Sequence, residues 1–349
     1  MDELDLELIR EKRREKKREE ARRKFKLMLF LFLITGAMLS TGTYAWFSSN
    51  RIVYIEFFNV HVETDGGMQI SADGDEWKSV LTLEDLISVH EGLYTTSTNQ
   101  IPYQMRPVST IGEIDRTSGF MKMYFGAAEN DGSDNYILST TRDVEERGSG
   151  LESDGNFIAF DVFLKTTGAK DMYLSGESYV KVDGEDSSVG IENSSRVAFV
   201  YEGNTTSDNN IAIVQGLSEA TNDDVYIWEP NYDLHTESGV ENARKIFGIT
   251  TTETGGKQLG YYGVKQEFSE SEHVYTSEAD PDHYPNYFGK VNVDIATTSD
   301  NTANNFLITV PDGITKLRIY MWLEGQDVDS ENNASYGNVD FYLQFTLNS

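Results

Sequence analysis

The 349-residue chain contains no cysteine, which removes disulfides, thiol nucleophiles and cysteine-ligated metals at once. Proline is scarce, at 6, and no Pro-rich stretch marks a linker, so the body reads as one elaborated domain rather than two. Several motifs of common chemistries are missing as well. There is no G-x-S-x-G elbow, no G-x-x-x-x-G-K or G-x-G-x-x-G phosphate loop, and no H-E-x-x-H pair among His61, His90, His235, His273 and His283. Ser178 and Lys181 match S-x-x-K, but strand residues three apart point to opposite faces, which separates the nucleophile from its base. No solenoid or propeller period recurs.

Positive charge is the other shortage. After residue 26 the chain carries 18 Lys/Arg against 50 Asp/Glu. A surface that acidic repels nucleic acid and anionic polymers, and suits cations, cationic partners or plain solubility. Residues 1–26 are the exception, with 11 Lys/Arg and 8 Asp/Glu. Pairs such as Glu11/Arg14, Glu15/Arg18 and Glu20/Lys24 predict a solvated charged helix there.

Between head and body lies an apolar stretch, Leu27–Phe47 (residues 27–47). No charge occurs in the 24 positions from Leu27 to Asn50, while Arg22, Arg23, Lys24 and Lys26 crowd its front edge. That asymmetry keeps the head in the cytoplasm and exports the acidic body. Two readings stay open. As a transmembrane helix the stretch exceeds the ~20 residues needed to span hydrocarbon, with Tyr44, Trp46 and Phe47 at the interface. As a signal peptide, its dense part, Leu27–Leu39, fits an apolar region of ~7–15 residues. Thr43 and Ala45 then put small residues where a signal peptidase reads, and Trp46 begins the mature chain. Both readings put residues 48–349 outside the cytoplasm, tethered to the cell membrane or released into the extracellular matrix.

TGTYAWFS, Thr41 to Ser48, resembles the end of the signal segment in exported bacterial proteins processed by SipW-type signal peptidases, the group containing the TasA and camelysin biofilm fibre proteins. WEPN (Trp228 to Asn231) and RIYMWLEGQDVD (Arg318 to Asp329) are similar to segments of exported Gram-positive proteins carrying the same signal. The resemblance implies cleavage near Ala45, a jelly-roll body and, in some members, assembly into fibres. It implies no catalysis.

Past Asn50 the period changes to that of strands. RIVYIEFFNVHV places Ile52, Tyr54, Phe58, Val60 and Val62 on one face and Val53, Ile55 and Phe57 on the other, which calls for burial on both sides. It is either the first strand of the chain's own sheet or a donor strand that completes a neighbour's, with Ile52, Tyr54, Phe58 and Val60 as the assembly residues. NFIAFDVFLKTT, Asn156 to Thr167, reads as a central strand. FMKMYFGA, MYLSGESYVKVDG broken at Gly176, RVAFVYEG, IAIVQG, VYIWEPN, KVNVDIATT, NFLITVPDGITKLRIYMWLEG and NVDFYLQFTL predict further strands. LTLEDLISVHEGLY has the body's one helical spacing, with Leu83, Leu86, Ile87 and His90 on one face. The expected fold is all-β: an elaborated jelly-roll-like antiparallel β-sandwich with polar insertions near 128–155 and 231–290, preceded by the charged and hydrophobic helices. Trp77, Trp228 and Trp322 are expected in the core or at strand edges.

The acidic loops offer one candidate for specific chemistry. Glu324, Asp327, Asp329 and Glu331 set oxygens at the spacing a hard cation uses, so the loop reads either as a solvated acidic turn, with no cofactor, or as a Ca²⁺ site. Asn332 replaces the turn glycine and Asn338 the distal Glu of an EF-hand loop, leaving half of that pattern. Asp73/Asp75 and Asp131/Asp134 are lesser versions. The expected function is that of a non-catalytic exported surface or matrix protein. Its partners are copies of itself or other surface proteins, plus the signal peptidase if cut, and it takes no nucleic acid. The alternative is a membrane-tethered ectodomain for a cation or a glycan. Mass spectrometry of the native N-terminus separates the two fates of the apolar stretch: a first residue at Trp46 marks cleavage, and an intact Met1 marks retention.

Overall fold

The computed structural model describes residues 60–64, 67–89, 94, 97–102, 105–130, 136–145, 155–183, 190–237, 262–269, 272, 274–275, 285–327, 329–330 and 338–347. The charged head, the apolar stretch with Thr43, Ala45 and Trp46, and Ile52, Tyr54 and Phe58 lie outside them. Among the described residues no helix is long and apolar enough to cross a membrane. Strands dominate, as the sequence predicts.

A six-stranded sheet holds the centre. It contains β2 (Gln69–Ser71), β7 (Ile158–Thr166), β10 (Ser195–Thr205), β11 (Val225–Glu229), β15 (Ile295–Ala296) and β17 (Gly313–Leu323), in the order β15-β11-β10-β17-β7-β2. β17 runs antiparallel to β7 from Gly313↔Thr166 to Met321↔Ile158, and antiparallel to β10 on its other side. Every residue of β17 is buried, as a near-continuous apolar strand covered on both faces must be.

The second six-stranded sheet comprises β1 (Val60–Thr64), β3 (Val80–Thr82), β8 (Lys170–Leu174), β9 (Tyr179–Asp183), β16 (Asn305–Val310) and β18 (Asn338–Leu347). β8 and β9 pair with successive stretches of β18. The predicted break at Gly176 is therefore real: a Cβ there would come within 2.5 Å of the Thr302 carbonyl oxygen. The two sheets share one core, in which Val62, Phe341, Leu343 and Phe345 meet Phe160, Val162, Leu317 and Ile319. Phe199 stands edge-on to Phe345 at 5.7 Å. The VPDGITK turn is not a hairpin, because β16 and β17 belong to different sheets. It carries the chain across the core, and Gly313 sits there at φ 112, with the Thr205 carbonyl oxygen 2.3 Å from where a Cβ would be.

Two elements differ from expectation. IAIVQG is not a strand but helix α2 (Ile211–Gln215), which follows α1 (Leu83–Ser88) in the chain. The Asn210 side chain accepts from Ala212 N at 2.8 Å and Gly216 caps the other end, so capping decided what a six-residue apolar run leaves open. The stretches read as insertions near 128–155 and 231–290 also carry structure. β4 (Val108–Ser109), β5 (Met123–Asn130), β6 (Tyr136–Asp143) and β13 (Val274–Tyr275) form a four-stranded sheet, and β12 (Tyr262–Val264) pairs with β14 (Phe288–Lys290). Val108, Met121 and Met123 cluster with Phe157, Ala159, Ala198, Tyr320 and Trp322 on the far face of the central sheet. FMKMYFGA contributes β5 as the sequence predicts, while β12, β13 and β14, two or three residues each, are too short to show a period, and pairing makes them strands.

That far face also buries charge. Arg318, 1 % exposed, bonds Asp161 at 2.7 Å, Glu145, the Thr98 carbonyl at 2.9 Å and the Tyr320 hydroxyl at 3.2 Å. Lys316 lies 3.3 Å from Asp161, and the Tyr94 hydroxyl donates to the same carboxylate at 2.5 Å. Burial opposes ionisation of Asp161, but Lys316 and Arg318 outweigh it and hold its carboxyl at about 2. Glu202, on the adjacent strand, has a buried oxygen without a hydrogen-bond partner. Burial first, and then the charge of Asp161, pushes it up to about 7.

Folded Glu202 keeps a proton that the unfolded chain releases near the ordinary Glu value, so its contribution to stability is whole in mild acid and is lost as pH rises through about 7. The urea midpoint should fall between about pH 5 and about pH 8. Glu202→Gln should flatten part of that fall, by on the order of 1–3 kcal/mol; an unchanged slope in the variant refutes the assignment.

Candidate functional site

The two stretches WEPN and RIYMWLEGQDVD meet in space. β11 ends at Glu229, and the turn after it places Asn231 at φ 53, the one positive φ outside glycine among the described residues. Asn tolerates the left-handed region better than most residues, and here its side chain donates to the Val180 carbonyl at 3.0 Å. Tyr232 N donates to Thr297 O at 3.1 Å and Leu234 N to Asn231 O at 2.8 Å. This fixed turn delivers His235, which is 5 % exposed. From the other side, the loop after β17 folds on itself through Asp327 N to Glu324 O at 3.1 Å and Asp329 N to Asp327 Oδ1 at 2.8 Å. A third wall is the turn before β10, closed by Asn193 N to Gly190 O at 3.0 Å.

Arg196, fully buried, ties the walls together. Its guanidinium donates to Glu229 at 2.9 Å, to Asp327 Oδ2 at 2.5 Å and to the Asn193 and Ser195 carbonyls at 2.8 and 2.9 Å. Asp329 sits behind it, accepting from Thr236 N at 3.0 Å, Thr236 Oγ1 at 2.7 Å and Asn193 Nδ2 at 3.1 Å. His235 Nδ1 faces Asp329 Oδ2 at 3.0 Å and Asp327 Oδ1 at 3.8 Å. Burial disfavours a charged His235, but the hydrogen bond to Asp329 and the two carboxylate charges outweigh it and raise its pKa. Burial works against Asp329 too, and its bonds to His235 and Thr236 lower it on balance. Glu192 and Glu229 move up, chiefly because they are desolvated.

Of the four predicted cation ligands, the structure brings Asp327 and Asp329 together. Glu324 is turned away: it is fully buried, accepts from Trp322 Nε1 at 3.1 Å and Gln326 N at 2.9 Å, and is pushed up to about 7 mainly by burial. Glu331 lies outside the described residues, as do His90, His273, His283, Asp131 and Asp134. Asp73 Oδ1 accepts from Asp75 N at 2.8 Å and Glu76 N at 2.9 Å, so it closes its own turn. Ser178 exchanges hydrogen bonds with the Gln344 backbone, and Lys181 Nζ sits 4.1 Å over the Tyr179 ring, so the S-x-x-K pair is spent apart. Trp228 and Trp322 are buried in the core, and Trp77 packs partly against it.

Sequence reading missed Arg196, Glu229 and His235. Glu229 stands in the WEPN segment, while Arg196 opens an apolar strand, where a lone inward charge demands a partner. Val60, the described member of the assembly set, opens β1 and pairs with Phe341 of β18.

Comparisons with protein-family models, with curated proteins and with solved structures find no match for this chain.

Gly190 adopts φ +77, and a Cβ there would lie 2.7 Å from Thr236 Cγ2 and 3.1 Å from Asp329 Cγ. Gly168 has a similar φ of +75 with open space around it. Gly190→Ala should therefore destabilise by ~1–3 kcal/mol more than Gly168→Ala in urea titrations, the difference being the contact and not the backbone. Equal losses refute the close fit.

Proposed function

We propose that the chain is an exported, non-catalytic protein of the bacterial surface or extracellular matrix that assembles with copies of itself by exchanging β1. The carrying observation is the seat of that strand. β1 lies between β18, to which it is parallel from Val60↔Phe341 to Thr64↔Phe345, and β3, to which it is antiparallel. Val62 is fully buried in the seat. Both flanking strands lie C-terminal to the Asp65-Gly66-Gly67 joint, β3 at residues 80–82 and β18 at 338–347, so the slot belongs to the body of the chain whichever molecule's β1 fills it. After β1 the sequence reads Asp65-Gly66-Gly67, and Gly67 takes φ +86 with nothing within 4 Å of its Cβ position. Such a joint lets an N-terminal strand leave its own sheet and enter the identical slot of the next copy at low cost, since the contacts made equal those lost. Repeated head to tail, the exchange yields a filament.

Export rests on the apolar stretch and the basic residues before it, and the absence of nucleophile motifs favours action by contact. Two six-stranded sheets over a shared core support the jelly-roll-like reading. With residues 27–47 kept, the same body stands on the cell membrane; with cleavage at Ala45 it joins the matrix.

The lack of native cysteine makes a direct test simple. Glu63 and Gln344 are register partners across β1 and β18, so Glu63→Cys with Gln344→Cys reports which molecule donates β1. Oxidation of the assembled protein should give a covalent ladder on a non-reducing gel. Bridged monomer alone, at every concentration, defeats strand exchange.

A further inference from the structure

The cluster around His235 holds more buried carboxylate than its cations neutralise. Glu192, Glu229, Asp327 and Asp329 gather there, each no more than 9 % exposed, against Arg196 and His235. Arg196 is committed to Glu229 and to the outer oxygen of Asp327. That leaves Asp327 Oδ1, the Asp329 carboxylate and Glu192 with one imidazole between them.

Two further oxygens beside Asp329 lack hydrogen-bond partners. One is Oε2 of Glu192, a residue close enough for its charge and that of Asp329 to repel. The other is Oδ1 of Asn193, 6 % exposed, whose amide already points at Asp329 through Nδ2 at 3.1 Å. Which end of an amide faces a carboxylate is assigned from its neighbours, and turning this one over brings a carbonyl oxygen to the carboxylate. That arrangement is favourable only with a cation between them.

His235 Nδ1, an Asp327 oxygen and an Asp329 oxygen all lie within 4.8 Å of one another. The separations of 3.0 and 3.8 Å from Nδ1 bracket the ~3.3–3.6 Å edge of a tetrahedron built on bonds of ~2.0–2.2 Å. We infer that His235, Asp327 and Asp329, with Asn193 as a fourth donor, form a binding site for a divalent transition ion of the Zn²⁺ or Mn²⁺ type.

An imidazole among the donors turns the choice away from Ca²⁺, which prefers oxygen alone, and towards borderline ions. The supporting contacts are those such a site uses. Arg196 holds one oxygen of Asp327 so that the other faces His235, and Thr236 orients Asp329. To ligate, Nδ1 presents its lone pair to the ion in place of its hydrogen bond with Asp329.

The test uses the full chain, stripped with EDTA and titrated calorimetrically with ZnCl₂, MnCl₂ and CaCl₂ in turn at about pH 7, where an imidazole is free to ligate. One Zn²⁺ should bind and raise the melting temperature, with Ca²⁺ at least roughly tenfold weaker. Asp329→Asn and His235→Gln should each weaken Zn²⁺ by roughly 100-fold and Asn193→Ala by roughly tenfold, while Asp73→Asn in the distant turn changes nothing. The rise in melting temperature of the unmodified protein with Zn²⁺ needs no variant to fold. No Zn²⁺ or Mn²⁺ binding up to about 1 mM, undiminished binding by folded Asp329→Asn, or tighter binding of Ca²⁺ would each overturn the site.

Discussion

A sheet covered on both faces has no water with which to solvate a charge, and the central sheet carries several. The bond between Arg318 and Asp161, register partners on β17 and β7, is the consequence on which the layered arrangement depends. Removing either partner strips a buried ion of one of its counter-charges, a loss of about 3–5 kcal/mol. Every neighbour of the pair serves the same balance. Lys316 adds a second cation for Asp161, Tyr94 supplies a donor, and Glu145 comes from just beyond β6 to complete the guanidinium's shell. The four-stranded sheet thus brings apolar cover and a counter-ion to the same face.

β17 carries the problem from one end of the molecule to the other. Its inward residues, Leu317, Ile319, Met321 and Leu323, fill the core between the six-stranded sheets, while Lys316, Arg318, Tyr320 and Trp322 alternate to the far side. Beyond its last residue the same strand feeds the loop of Glu324, Asp327 and Asp329, where Arg196 of the neighbouring strand is again the organising cation. The two buried ionic clusters are therefore successive solutions along one strand pair. They differ in composition: the first is near balance once Glu202 keeps a proton, and the second retains an excess of carboxylate.

The seat of β1 in the second sheet obeys a different rule. β1 is held by main-chain pairing and by Val62, interactions that any copy of the same segment reproduces. A chain with net charge −29 repels its like at long range, so the proposed self-association would have to draw on contacts that are short-ranged and directional.

Much was legible in the residues alone. The alternation of NFIAFDVFLKTT and RIYMWLEG required strands buried on both faces, and the break at Gly176 came from its turn residues, because period and turn chemistry are local. Asp327 and Asp329 stood out as a carboxylate pair for the same reason. What sequence could not decide was set by distance along the chain. Whether IAIVQG coils or extends depended on a cap and on packing. The weakly apolar segments that became β6, β12 and β13 gained strand character from their partners, β5 just before β6, β14 about 25 residues beyond β12, and β6 more than a hundred residues before β13. His235 looked like one more polar-loop histidine until the Asn231 turn pressed it against Asp329, 94 positions on. The apolar stretch, the acidity and the strand class were written in composition and period; the charge balance and the site were decided by which distant residues the folded layers bring within 3 or 4 Å, where electrostatics in a dry interior becomes strong.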